Sequence, residues 1–256
     1  MSGHSHWSTI RRKKEANDAK RGAVFTKVAR EIVIAVREGG GGDPETNIRL
    51  RMALDKARSM GMPKDNIDRA IRRGTGEDKD AEEIVQVQYE GYGPNGVAIM
   101  IDVLTDNRNR TVAALRHALT RAGGSLADPG AVAWQFERKG SISVPSEVDF
   151  EELFMAAVEA GAADVVQGDD EDNHEVYTES TDLHAVSQKL KEMDIPVENA
   201  ELVMVPQNEV ALGQSDTVKI LRLVDDLEDL DDVRRVYTNL EMTEEAVTAY
   251  AEAVGD

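Results

Sequence analysis

The sequence predicts an α+β protein in which a helical N-terminal domain precedes two α/β domains of ferredoxin-like, split βαβ character, one inserted in the other. Three observations carry that expectation. Up to residue 76 the apolar side chains recur at three- and four-residue steps, the period of helices packed on one face. Beyond a polar linker, GTGEDKDAEE (74–83), short apolar runs between turn residues read as strands alternating with helices. Residues 131–205 then spell strand, helix, strand, strand, helix, strand, opened by a strand hairpin, whereas 84–123 offer only strand, strand, helix. That half unit cannot cover both ends of its sheet, and the helix and strand at 216–240 are expected to complete it. The expected domains are 1–76, then 77–130 together with 207–256, with 131–206 inserted between.

In 18–38, Phe25, Val28, Ile32, Ala35 and Val36 form the apolar stripe. At about 100° per residue, Lys20, Lys27, Arg30 and Arg37 fall on the opposite side. GGGGD (39–43) ends this helix, and Pro44 is placed to open the next. Leu50, Ala53, Leu54 and Ala57 make the second stripe, closed by Gly61. A third helix over 62–74 has Pro63 at its start, Asp65 and Asp68 early, Arg69, Arg72 and Arg73 late, and Gly74 as its stop. Strands at 84–90 and 97–104 flank GYGPNG, and a helix over 109–122 ends at Gly123 and Gly124. Strands at 131–136 and 141–144 surround Gly140. After them come a helix at 149–160, strands at 164–167 and 175–178, a helix at 182–193 and a strand at 201–205. A helix at 216–227, a strand at 233–240 and a terminal helix finish the chain.

Charge divides the chain more sharply than hydropathy does. Residues 1–76 hold 17 Lys and Arg against 9 Asp and Glu, a net of +8. Residues 77–256 hold 13 against 40, a net of −27, and together they give the formal −19 of the 256-residue chain. A cationic module on an acidic body points to a polyanionic partner met at one end. With no cysteine, disulfides and thiolate metal sites are excluded. Apolar runs such as 97–104 are too short to cross a bilayer, and residues 1–8 lack the pattern of a signal peptide, so a cytoplasmic setting is expected.

No motif assembles an active site. GYGPNG (91–96) matches G-x-G-x-x-G, but a strand follows it where a dinucleotide site needs a helix. GDDEDNHE (168–175) has the composition of a calcium loop without its glycine or its closing glutamate, and reads as an acidic turn. His4 and His6 belong to a polar tail, and His117 and His184 lie in helices without partners. TDNRNRT (105–111) reads first as a helix cap and second as an anion seat flanked by Arg108 and Arg110. Neither an enzyme, a cofactor nor a metal is expected.

Residues 4–22, HSHWSTIRRKKEANDAKRG, carry six Lys or Arg, two acids and one of two tryptophans. Such cations neutralise phosphates with release of counterions, and Trp7 suits stacking on an unpaired base. The expected nucleic-acid-binding set is Trp7, Arg11, Arg12, Lys13, Lys14, Lys20, Arg21, Lys27, Arg30, Lys64, Arg108 and Arg110.

GHSHWSTIRRKK, DAKRGAVFTKVAREI, GGGGDPETN, MPKDNIDRAIRRGTG, YEGYGPNGVAIMIDVLTDNRNRT and FERKG together resemble the YebC/PmpR family, densely over 2–144 and loosely beyond. Mitochondrial translational activators of cytochrome oxidase synthesis belong to the same family. The resemblance implies a helical domain followed by two α/β domains, in a non-enzymatic cytoplasmic regulator. It further implies a DNA-binding transcriptional regulator or, alternatively, a ribosome-associated factor that eases synthesis of difficult stretches such as proline runs. Ribosomal RNA would then replace DNA as partner, and neither a membrane nor a small-molecule substrate is implied. Two positions depart from the family: Arg12 stands where a histidine is frequent, and Asn47-Ile48 where Asn-Pro is frequent. No helix-turn-helix recognition helix is evident in the sequence.

Overall fold

A computed structural model describes residues 21–78, 82–168, 173–243, 246 and 248–250. Three helices come first: α1 (Arg21–Glu38), α2 (Ile48–Ser59) and α3 (Lys64–Thr75). In α1 the stripe is wider than its period suggests, since Ile32, Val33, Ile34, Ala35 and Val36 are all buried. The helix is central: α2 and α3 pack on it, and Ile84 and Leu104 from the following domain join the same apolar cluster.

The start of α2 is set by Asn47, not by Pro44, which lies in the preceding turn. The buried Asn47 side chain accepts from the Leu50 amide (2.9 Å) and donates to the carbonyls of Ala35 and Gly41 (2.8 Å each). One side chain thus caps α2 and pins the end of α1 to it. Gly74 does not stop α3. It is buried inside the helix, where a Cβ would come within 2.6 Å of Val36 Cβ, so its role is close approach to α1. The stop falls two residues later at Gly76, in the left-handed conformation at φ 79°.

The first sheet begins with the antiparallel pair β1 (Val85–Tyr92) and β2 (Ala98–Thr105), joined through a 3-10 turn at Pro94–Gly96. Helix α4 (Arg108–Arg121) and the short strand β3 (Ser125–Ala127) follow. The chain then leaves for the second sheet. That sheet comprises β4 (Phe136–Val144), α5 (Phe150–Ala160), β5 (Asp164–Val166), β6 (His174–Glu179), α6 (Leu183–Glu192) and β7 (Asn199–Pro206). It returns as α7 (Gln214–Glu228) and β8 (Val233–Thr238), and residues 248–250 are again helical.

Strand order in the second sheet is β5-β6-β4-β7, antiparallel throughout, which is the split βαβ arrangement. In the first sheet it is β3-β1-β2-β8, with the β1–β2 hairpin central and β8 closing one edge. One α/β domain is therefore inserted in the other.

The hairpin expected at 131–136 and 141–144 is a single strand, β4, preceded by a 3-10 turn at Ala133–Gln135. Gly140 is an interior strand residue, where a Cβ would strike the Thr178 hydroxyl and Leu183. The strand at 125–127 has too few residues to show a period and was not expected. Both sheets bury one face under two helices. Ile99, Ile101, Leu115, Leu119, Ile220 and Leu227 centre the first core, and Ile142, Leu153, Val176 and Leu190 the second. No described helix is long and apolar enough to cross a membrane.

Two outcomes follow from this packing. A chain truncated after Pro206 loses α7 and β8, hence Ile220, Leu221, Leu223, Val224, Val233 and Val236 from the first core. NMR dispersion should then collapse for 84–127 and persist for 136–206. Gly74→Ala should destabilise the chain by about 1–3 kcal/mol, the cost of overpacking a filled contact, measured by urea unfolding.

Candidate nucleic-acid interface

The cationic side of α1 is not a free surface. Lys27 Nζ donates to the carbonyl of Glu228, and Arg30 donates to the carbonyl of Asp231. Arg30 also pairs with the Asp232 carboxylate at 3.1 Å. Arg37 donates to the Ile84 carbonyl (3.0 Å) and pairs with Glu83. The face that an isolated helix would offer to solvent is docked on the acidic domains.

Asp232 is the centre of this contact. Its side chain is only 8% exposed. It accepts from Thr111 Oγ1 (2.7 Å), Thr105 Oγ1 (3.2 Å) and Arg110 Nη2 (2.8 Å). Burial alone would raise its pKa, but the hydrogen bonds from Thr111 and Arg110 and the Arg30 charge outweigh burial and hold it below the usual carboxylate range. TDNRNRT caps its helix, and its Arg110 is held by the chain's own carboxylates. Asn107 caps α4 by accepting from the Arg110 amide at 3.0 Å, and an anion does sit beside that helix end, supplied by the chain itself. Asp106 adds ion pairs to Arg110 (2.9 Å) and to Arg73 of α3 (3.6 Å).

The strand after Asp232 extends the junction. Successive side chains of a strand point to opposite sides. Arg234 Nε lies 3.5 Å from Glu31 of α1, which also pairs with Lys56 of α2 at 3.0 Å. Burial pushes the Glu31 carboxyl up, and the charges of Lys56 and Arg234 more than reverse that. Arg235 pairs with Glu201 of β7 at 2.7 Å. A cleft of about 1530 Å³ lies among the three domains, and these pairs line it.

Of the residues expected to contact nucleic acid, Trp7, Arg11, Arg12, Lys13, Lys14 and Lys20 lie outside the described residues, as does the side chain of Arg21. Lys27, Arg30 and Arg110 meet at the Glu228–Asp232 segment. Lys64 and Arg108 are exposed and make no ion pair with another described residue, and the same holds for Arg69 and Arg72. The Arg73–Asp106 pair brings the end of α3 beside the start of α4, so Arg72 and Arg108 belong to one neighbourhood.

The remaining motifs take structural roles. GYGPNG closes a hairpin, with the Gly93 amide on the Val97 carbonyl at 2.8 Å and strand β2 behind it. Of GDDEDNHE, residues 169–172 lie outside the description. His174 is buried, accepts from the Gly168 amide through Nδ1 and donates from Nε2 to the Val148 carbonyl, both at 3.0 Å. Among the described residues no group of three or more His, Asp or Glu is placed to hold a metal. Sequence reasoning missed Asp232, Arg234 and Arg235. Their one signal is DDVRRV, where an acidic run gives way to paired arginines inside a strand.

Two family models divide the chain as the fold does. The TACO1/YebC protein N-terminal domain matches residues 5–77, and the TACO1/YebC second and third domain matches 84–240. The chain belongs to the TACO1/YebC family. A relative from Chloroflexus aggregans is 50% identical over 98% of this chain and 99% of its own length. One from Chlorobaculum tepidum is 50% identical over 98% and 100%. Both bear the name probable transcriptional regulatory protein. The crystal structure of a conserved hypothetical protein from Aquifex aeolicus superposes with a TM-score of 0.83 at 43% identity, covering 89% of this chain and 93% of that one.

Asp232→Asn should lower stability at neutral pH by about 2 kcal/mol, the scale of charge-assisted hydrogen bonds lost from a buried site. The folded pKa of Asp232 lies below its unfolded value, so its contribution is complete above about pH 4 and drains away as pH falls through the folded value. Thermal melts of parent and variant should converge at low pH.

Proposed function

We propose that the chain is a non-enzymatic, cytoplasmic regulator of gene expression that engages nucleic acid through its basic N-terminal domain. The observation that carries this reading is the charge division: +8 over residues 1–76 against −27 over the rest. The names of the TACO1/YebC relatives support the regulatory half. The proposed contact set begins with Trp7, Arg11, Arg12, Lys13, Lys14, Lys20 and Arg21. It continues through the exposed Lys64, Arg69, Arg72 and Arg108. Lys27, Arg30 and Arg110 contribute field rather than direct contact while the Asp232 junction is closed.

Duplex DNA is the first target to consider. A ribosome-associated role, with ribosomal RNA as the target, is favoured by one feature of α3. Helices α2 and α3 are joined by a four-residue turn, the spacing of a helix-turn-helix. A recognition helix presents its N-terminal residues to the bases, and here that end exposes two carboxylates, Asp65 and Asp68, against one cation, Lys64. Those carboxylates oppose entry into a groove walled by phosphates, whereas an arm carrying Trp7 suits unpaired RNA.

Fluorescence anisotropy across a salt series, with duplex DNA and ribosomal RNA fragments in parallel, tests both targets. With five or six phosphates neutralised, the log–log slope should be roughly −4 to −5. Changing Arg11, Arg12, Lys13 and Lys14 together to alanine should weaken binding and flatten that slope without altering the melt. Trp7→Ala should cost about 1–3 kcal/mol on single-stranded RNA and little on duplex. Unchanged binding by the quadruple variant would remove the basic arm from the interface.

A further inference from the structure

Helix α5 covers the second sheet with Leu153, Ala157 and Ala160, all buried. Its outer face is the wrong chemistry for solvent. Phe154 is 45% exposed, Met155 68% and Val158 58%. Five large apolar residues are this exposed among the described residues, and three of them fall within five positions of one helix, so the cluster is not scatter. Phe154 and Val158 lie one turn apart, and Met155 borders them at the same level as Phe154. The patch is held firmly from beneath. Phe150 stacks edge-on against the buried His174 ring at 5.5 Å and tilts against Phe154 at 6.3 Å. Asp149 caps the helix by accepting from the Glu152 amide at 3.0 Å. The rim is acidic: Glu151, Glu152 and Glu159 are exposed on the same helix and make no ion pair with another described residue.

We propose that this face of α5 is a docking surface for a basic amphipathic segment of a protein partner, its apolar side chains on Phe154, Met155 and Val158 and its Lys or Arg residues among the three glutamates. Apolar contact supplies the anchor, and the carboxylates select the charge of what sits there. The acidic rim disfavours the other occupants. An anionic lipid surface and a nucleic acid are repelled by it, and a second copy related by a two-fold axis would set glutamates against glutamates. The inference does not rest on the nucleic-acid reading, because α5 belongs to the inserted domain and the basic arm to the first.

The test uses the full chain and a synthetic Leu/Lys amphipathic helical peptide, followed by anisotropy at about physiological salt. A Ser/Lys peptide of equal charge controls for simple attraction to the acidic body. The Leu/Lys peptide should bind at least about tenfold more tightly than the Ser/Lys peptide, a difference near 1.4 kcal/mol. The triple variant Phe154→Ser, Met155→Gln, Val158→Thr leaves the charge unchanged and should lose about that same factor. Circular dichroism should show its fold intact. The triple variant Glu151→Gln, Glu152→Gln, Glu159→Gln should bind more weakly and with less salt dependence. Equal binding of both peptides, or of the Leu/Lys peptide to the parent and the apolar-face variant, overturns the proposal, as does the absence of saturable binding. Two further outcomes also overturn it. One is a dimer seen in sedimentation of the parent and lost in the apolar-face variant. The other is binding to anionic vesicles lost in that variant.

Discussion

A carboxylate buried to 8% exposure has to be answered by charge, and Asp232 is answered from two domains at once. Thr105 of β2 and Arg110 and Thr111 of α4 come from its own domain, and Arg30 comes from the N-terminal helices. Arg30 from one domain and Arg110 from the other thereby share one buried charge, beside the apolar contact that Ile84 and Leu104 make with the first domain's core. The next residues on the strand repeat the device. Arg234 reaches Glu31 in the first domain and Arg235 reaches Glu201 in the third. One short strand, β8, thereby ties all three together.

This arrangement changes what the charge division means. The sequence presents a basic module and an acidic body, as though the first were free to meet a polyanion with its whole cationic face. Part of that face already meets the body's own anions and carbonyls between Glu228 and Asp232. Among the described residues, Lys64, Arg69 and Arg72 of α3 and Arg108 at the start of α4 are exposed and make no ion pair with another described residue. Within the acidic run at the foot of β8, Asp232 is paired with Arg30 and Arg110, and Asp226 with Arg121, which lessens self-repulsion there.

Local chemistry was legible and distant chemistry was not. The apolar period places the end of α1, the buried stripe of α2 and both ends of α4 close to those observed, because helix amphipathicity is a property of neighbours in sequence. The same logic misjudged α1's second side. Lys27 and Arg30 look solvent-facing until a segment two hundred residues away comes to rest on them, and Arg37 until Glu83 and Ile84 do. Glycine was read as punctuation at positions 74 and 140, yet at both it is a spacer, giving way to Val36 in one case and to Thr178 in the other. A missing side chain looks the same in sequence whichever reason applies. Asp232 is hidden for a related reason: in DDLEDLDD nothing local separates the one buried acid from neighbours that are half-buried or exposed.

The pairing of β2 with β8 has a consequence for the growing polypeptide. Thr105 leaves the ribosome long before Val233 does, and at about 5–20 residues per second the interval is on the order of ten seconds. During that time one edge of a strand that is buried along its whole length, AIMIDVLT, has no partner, while the inserted domain, contiguous from β4 to β7, is already complete. The inserted domain is therefore complete before the sheet that encloses it, and the first sheet is the part of the nascent chain most exposed to misassociation in that interval.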